Sequence, residues 1–345
     1  MRTIEGNGYK IVYPEEIIFV FNRNTITIET DGEDYEAKFS VIKYKTYIED
    51  GEEFTDVADT FEDVRVSHNG NVSIDVSAYM QMYFEKKERR KRIDINVEVD
   101  GETHLLEFKA VWGVINIGEE WNVPRVVKWF KNYPQTLGIY IPEGVAMQTR
   151  EDGAYSDYDG DIAGFNDLNL SDLFPTAKRS AGLRVLNGVQ ASVFDDTFDI
   201  TFGTVDAQTW LFDIDDSDSG VFLRWIDRHG WLQYWLFKEG VQSEKSKAEG
   251  EELDVAYTDE RELSHYGVKR QNKSLTRSLK CGAVYLNVED RQIVATVASS
   301  PYVDWWNGRA WIPVRINGAT LQDNHNGLVD YEIEVLFPNV ITQTI

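Results

Sequence analysis

Hydrophobic residues along this chain recur mostly with a period of two, the spacing that places alternate side chains on one face of a β-strand. RIDINVEVDGETHLLEFKAV (92–111) is the clearest case: Ile93, Ile95, Val97 and Val99 share one face, and Asp94, Asn96 and Glu98 the other. Asp100-Gly101 supplies the turn of a hairpin. EEIIFVF and TITIETDGEDYEAKFSV read as strands turning at Asp31-Gly32, and VRVSHNGNVSIDV repeats the pattern around Asn69-Gly70. ADTFEDV, VSAYMQMYF and SLTRSLK read as short helical interruptions.

In the second half, SVFDDTFDITFGTV and TWLFDID alternate again, and VFLRWIDRHGWLQYWLFKEG reads as an antiparallel pair around Asp227-Gly230. Large residues fall on both of its faces, so each face needs a packing partner for Trp225, Trp231, Trp235 and Phe237. AVYLNVEDRQIVATVA, AWIPVRI and LVDYEIEVLF continue the strand series. The whole is mainly β: two β-rich domains built as sandwich-like or curled antiparallel sheets, with short helices. Recurrent crossover helices, which a Rossmann-like fold needs, are absent from the pattern. The expected division is a first domain at 1–150, an acidic connection at 151–180 and a second domain at 181–345.

Composition supports this picture. In 345 residues, 42% are hydrophobic and 13% aromatic, enough to cover several sheet faces without disulfide or metal staples. Cys281 is the single cysteine and reads as a buried structural thiol. The formal charge is -24, which opposes binding to nucleic-acid backbones and anionic membranes. Against that background KKERRKR (86–92) is a local basic patch, whereas 185–223 holds no Lys or Arg. The opening MRTIEGNGYK lacks the apolar run of a conventional secretion signal, and no stretch reaches the roughly twenty apolar residues of a membrane span. A cytoplasmic protein is the resulting expectation.

Candidate chemistry is sparse. Asp157, Asp159 and Asp161 alternate around Gly160 and offer hard oxygen ligands to Ca²⁺, without the full twelve-position calcium loop. Asp213, Asp215, Asp216 and Asp218 form a second acidic cluster, whose ordinary reading is a solubilising turn. No carboxylate pair can be singled out for glycoside hydrolysis, and Cys281 with His265 lacks an orienting acid. The expectation is a non-enzyme with no obligatory cofactor. Asp304, Trp305, Trp306, Arg309 and Trp311 form an aromatic and polar segment suited to a protein interface or, alternatively, to stacking on a carbohydrate.

LKCGAVYLNVEDRQIVATVASSPYVDWWNGRAWIPVRI followed by DYEIEVLF, within 277–337, resembles structural proteins of tailed bacteriophages and prophages, especially tail and baseplate components. YPEEIIFVFNRNTITIE (13–29) carries a weaker likeness. The resemblance implies an oligomeric tail or baseplate adaptor, assembled in the host cytoplasm into the virion. Its partners would be its own copies and neighbouring virion proteins, with Trp305, Trp306 and Trp311 as interface anchors and Asp304 and Arg309 setting polar registration.

Overall fold

The computed structural model describes residues 1–30, 35–49, 52–67, 70–122, 125–141, 143, 147–151, 154–157, 164–173, 182–184, 198–202, 208–254, 268–323, 329–338 and 340–344. The protein is mainly β, with several sheets, a small barrel and only short helices among these residues. It divides into two compact units, one formed by Met1–Trp121 with Arg228–Trp231, the other by Asn122–Asp227 with Leu232–Ile345.

The first unit contains β1 (Arg2–Glu5), β2 (Tyr9–Tyr13), β3 (Ile17–Phe19), β4 (Thr25–Thr30), β5 (Glu36–Glu49), β6 (Glu52–Val66), β7 (Asn71–Asp75), α1 (Ser77–Met82), β8 (Arg90–Val99) and β9 (Glu102–Val111). Two sheets result, in orders β1-β2-β4-β7 and β3-β9-β8-β5-β6. Alternation dictates the core: Ile11, Ile26, Ile28 and Ile74 from the first sheet pack with Phe39, Ile93, Ile95, Val97 and Phe108 from the second. The β8–β9 hairpin turns at Asp100 and Gly101, both at positive φ (50° and 77°), as a tight two-residue turn requires.

Three local expectations change here. β4 and β5 lie in different sheets rather than forming a hairpin, as do β6 and β7, because each strand finds its apolar partner elsewhere; Asp31-Gly32 and Asn69 lie outside the described residues. ADTFEDV is part of β6, paired with β5 from Asp59 to Val64, so cross-strand pairing overrides a helix-compatible pattern. Asn24 then pins α1, its backbone N–H donating to Ser77 Oγ at 3.0 Å and its side chain to the Phe19 carbonyl at 2.9 Å.

The second unit contains β10 (Val126–Phe130), β11 (Thr136–Ile141), β12 (Met147–Glu151), β13 (Ala154–Asp157), β14 (Gly164–Asn169), α2 (Leu170–Leu173), β15 (Gly182–Arg184), β16 (Phe198–Phe202), β17 (Gln208–Asp215), β18 (Val221–Ile226), β19 (Leu232–Asp254), β20 (Val268–Leu286), α3 (Val288–Ala295), β21 (Val303–Trp306), β22 (Trp311–Asp323), β23 (Val329–Leu336) and β24 (Val340–Thr344). β10, β17, β16, β12 and β13 form one sheet, with β15 also on β17, and β11 pairs β14. The order β19-β18-β21-β22-β23-β20 closes through β19–β20 pairing into a six-stranded antiparallel barrel, with β24 added to β20. Closure removes the sheet edges that would otherwise be open.

Both faces of β18 are covered: Phe222 stacks on Tyr133 at 4.5 Å, and the Trp225 indole N–H donates to Thr296 Oγ1 at 2.8 Å. SLTRSLK lies inside β20, where pairing to β19, β23 and β24 sets its conformation. VEDRQIVA leaves the strand series to become α3. Asn287 is its N-cap, its side chain accepting from Asp290 N–H at 2.7 Å, a start signal legible at Asn287 and Asp290 in the sequence.

Candidate assembly surfaces

Both units send a two-stranded ribbon beyond the strands that brace it. In the first, β8 pairs β5 only from Ala37 to Ile42, whereas β5–β6 pairing continues from Lys43–Asp59 to Glu49–Glu52. The sequence sets this limit: Ala37, Phe39 and Val41 are buried, then the same face carries Lys43 and Lys45. Ala58 is an extra residue in β6, since Lys43 faces Asp59 and Tyr44 faces Val57. Among the described residues, the outer edge of β6 has no strand partner. Val57, Val64 and Val66 are at least half exposed, among the carboxylates Asp56, Asp59, Glu62 and Asp63. Such charge protects an open edge from indiscriminate pairing while leaving its backbone groups available.

In the second unit, β18 stops bracing β19 at Val221–Phe237, and β19–β20 pairing runs on from Gln242–Leu279 to Asp254–Val268. β24 backs β20 only over Asn272–Leu275. A register shift follows Glu239, and a Cβ on Gly240 would lie 2.6 Å from the Lys280 carbonyl oxygen, so the close approach there requires glycine. Along the ribbon, Arg277 Nε meets Glu244 Oε1 at 2.8 Å.

The aromatic segment singled out in the sequence forms a corner of the barrel. Asp304 lies opposite Arg224 in the β18–β21 register, and Arg224 Nη2 and Nε reach its Oδ2 at 3.0 and 3.1 Å. The guanidinium also sits over the Trp311 ring, 4.3 Å from its centre. Trp306 tilts against Trp311 at 5.2 Å, and Trp305 meets Phe337 edge-on at 5.0 Å. All three tryptophans are partly buried, Asp304 is buried and Arg309 is exposed. Asn307 holds the β21–β22 turn, its Oδ1 accepting from the N–H groups of Arg309 and Ala310 at 2.9 and 2.8 Å, with Gly308 at φ +90°.

A groove of about 640 Å³ opens in the first unit, between the β5–β6 ribbon and residues 85–92. Lys43, Lys45, Lys91 and Arg92 line it with Glu85 and Glu88. Arg92 is committed to Asp94, which is fully buried and also accepts from the Tyr44 hydroxyl at 2.8 Å, and to Glu107.

The other candidates fall as follows. Asp157 ends β13, and Asp159 and Asp161 lie outside the described residues, as does His265. Asp213 and Asp215 share Lys128, at 2.7 and 3.7 Å. Burial raises Asp215, but bonds from Ser217 and the Lys128 charge prevail and hold its carboxyl below the usual range. Among the described residues, no three His, Cys, Asp or Glu side chains gather where they could hold a metal. Cys281 is 1% exposed, and burial, with the charges of Glu332 and Glu239, pushes its thiol up to about 12. His104 Nε2 lies 2.6 Å from the Tyr9 hydroxyl, which also donates to Glu102 at 2.6 Å. No helix among the described residues is long and apolar enough to cross a membrane.

No protein-family description matches this chain, and no curated protein matches it. Among solved structures, it is similar to a chain from the tail of an empty GTA particle of C6 symmetry, at 13% identity and a TM-score of 0.24. The match covers 37% of this chain and all of the other. The resemblance is weak and partial.

Proposed function

We propose that this chain is a non-enzymatic structural protein that assembles into an oligomer, as a tail or baseplate adaptor of a phage-like particle. The observation that carries the reading is the pair of ribbons extending past their bracing strands. A two-stranded β-ribbon is marginal in water on its own, and its free edges gain pairing and burial when another chain covers them. At about 3.4 Å per residue, the unbraced part of β5 alone offers roughly 24 Å of edge. The resemblance of 277–337 to tail and baseplate proteins points to the same kind of assembly. Its tryptophan corner supplies candidate anchors in Trp305, Trp306 and Trp311, with Asp304 and Arg309 fixing registration.

Light scattering coupled to size exclusion, with negative-stain microscopy of the protein alone and mixed with neighbouring tail proteins, tests this reading. Rings, tubes or stoichiometric complexes are expected. A monomer that binds none of these proteins would refute it.

A further inference from the structure

In a chain whose formal charge is -24, the groove of the first unit is locally basic, lined by four cations and two carboxylates. Of the basic run at 86–92, Lys91 and Arg92 line it, with Glu88. Its own acids are unevenly engaged. Glu88 holds Lys91 through both oxygens, at 2.8 and 3.0 Å, and Arg92 is held by Asp94 and Glu107. Glu85, in contrast, stands 3.7 Å from Lys43, beyond hydrogen-bond length, with three-quarters of its side chain in water. That contact can be exchanged for a better-placed carboxylate at little cost. Lys45 is exposed on the same wall, and Asp56 and Asp59 on β6 face Lys45 and Lys43 across the ribbon. Lys43 and Lys45 are therefore the cations best able to turn towards an incoming anion.

The chain carries an acidic complement in its other unit, on a turn whose backbone is held by hydrogen bonds. At the end of β17, Asp213 and Asp215 are occupied by Lys128, while Asp216 and Asp218 in the turn that follows are exposed. Three bonds fix that turn: Ser217 N–H donates to Asp215 Oδ1 at 2.9 Å, and Asn132 Nδ2 donates to the carbonyls of Asp216 and Ser217 at 2.7 and 3.3 Å. Since 185–223 contains no Lys or Arg, no cation on its own strand neutralises the turn. A turn whose backbone is already fixed loses little conformational entropy on docking.

We infer that the groove of one copy receives the Asp216 and Asp218 turn of a second copy, with Lys43 and Lys45 as the receiving charges. The inference rests on the assembly reading and specifies one contact within it. The groove reads carboxylates on a fixed turn, so contact is specific in register and weakens as salt rises.

A charge-swap experiment in the full chain tests this. Sedimentation velocity would compare the wild type with Lys43→Glu/Lys45→Glu, with Asp216→Lys/Asp218→Lys and with an equimolar mixture of the two variants. Each variant alone should raise the self-association Kd at least tenfold, roughly the effect of losing a close charge pair. The mixture should recover association, which also shows that both variants are folded. Lys43→Gln/Lys45→Gln should fall between wild type and the swap. Self-association unchanged by either swap, or not recovered on mixing, overturns the inference. If the swaps still build the particles seen by microscopy, this contact alone is refuted; if no form assembles with any tail protein, the assembly reading fails as well. Binding of a short DNA duplex that Lys43→Glu/Lys45→Glu abolishes, with self-association intact, would also overturn it.

Discussion

Replacing Asp304 with alanine removes the carboxylate that holds Arg224 across the β18–β21 pair. The Asp304 side chain is 8% exposed and that of Arg224 26%, so the substitution strands a largely buried guanidinium. Removing one partner of a buried ion pair costs about 3–5 kcal/mol. Arg224 recovers part of this through its exposed quarter and through the Trp311 ring, worth about 0.5–2 kcal/mol, which places the expected loss at about 2–3 kcal/mol. For a body of 150–250 residues, each kcal/mol moves Tm by about 2–4 °C, so the second unit should melt about 4–12 °C lower. Differential scanning calorimetry of wild type, Asp304→Ala, Arg224→Ala and the double variant measures both the loss and its coupling, expected at about 1–2 kcal/mol. A fall below 1 °C, or strict additivity, would mean that the Asp304–Arg224 pair does not stabilise the barrel. A role for Asp304 only at a partner surface would leave these melts unchanged and alter association alone.

Three further outcomes follow from local geometry. Cys281 should resist a thiol reagent at pH 8 in the folded protein and react at once in denaturant, because burial keeps the thiol neutral and covered; rapid labelling under native conditions would contradict this. Tyr9 has its hydroxyl pushed from 10.0 to about 12, chiefly by burial and then by its bond to Glu102. The unfolded chain therefore loses this proton first, and Tyr9 contributes a fall in stability as pH rises from 10 to 12. Tyr9→Phe should flatten that part of the urea-denaturation profile, and an unchanged slope would count against the assignment. Asn287→Ala removes the cap of α3 and should cost about 1 kcal/mol in the same assay; a neutral result would mean that packing alone sets the start of that helix.

Legibility in the sequence followed the range over which each feature is determined. Alternation at Ile93, Ile95, Val97 and Val99, with Asp100-Gly101, identified β8–β9 because a hairpin is encoded locally. Strand partnership was not local: nothing around Asp31-Gly32 says that β4 and β5 enter different sheets, and nothing in SLTRSLK says that three strands converge on β20. Barrel closure depends likewise on β19 meeting β20 across the intervening segment. At the candidate surfaces, the tryptophan segment and the 86–92 patch were visible as composition. Their consequences needed geometry: Asp304 could not be seen to face Arg224, nor Lys43 and Lys45 to face residues 85–92 across a groove. The ribbons are not legible in the sequence because each strand looks ordinary, and only pairing shows where bracing ends.

Assembly through the β surfaces, as proposed, is tested by mass photometry and negative-stain microscopy across a concentration series, with and without neighbouring tail proteins. Defined multimers of the 39.7 kDa chain, or stoichiometric complexes with a tail partner, are expected. A single species at 39.7 kDa under every condition would contradict assembly.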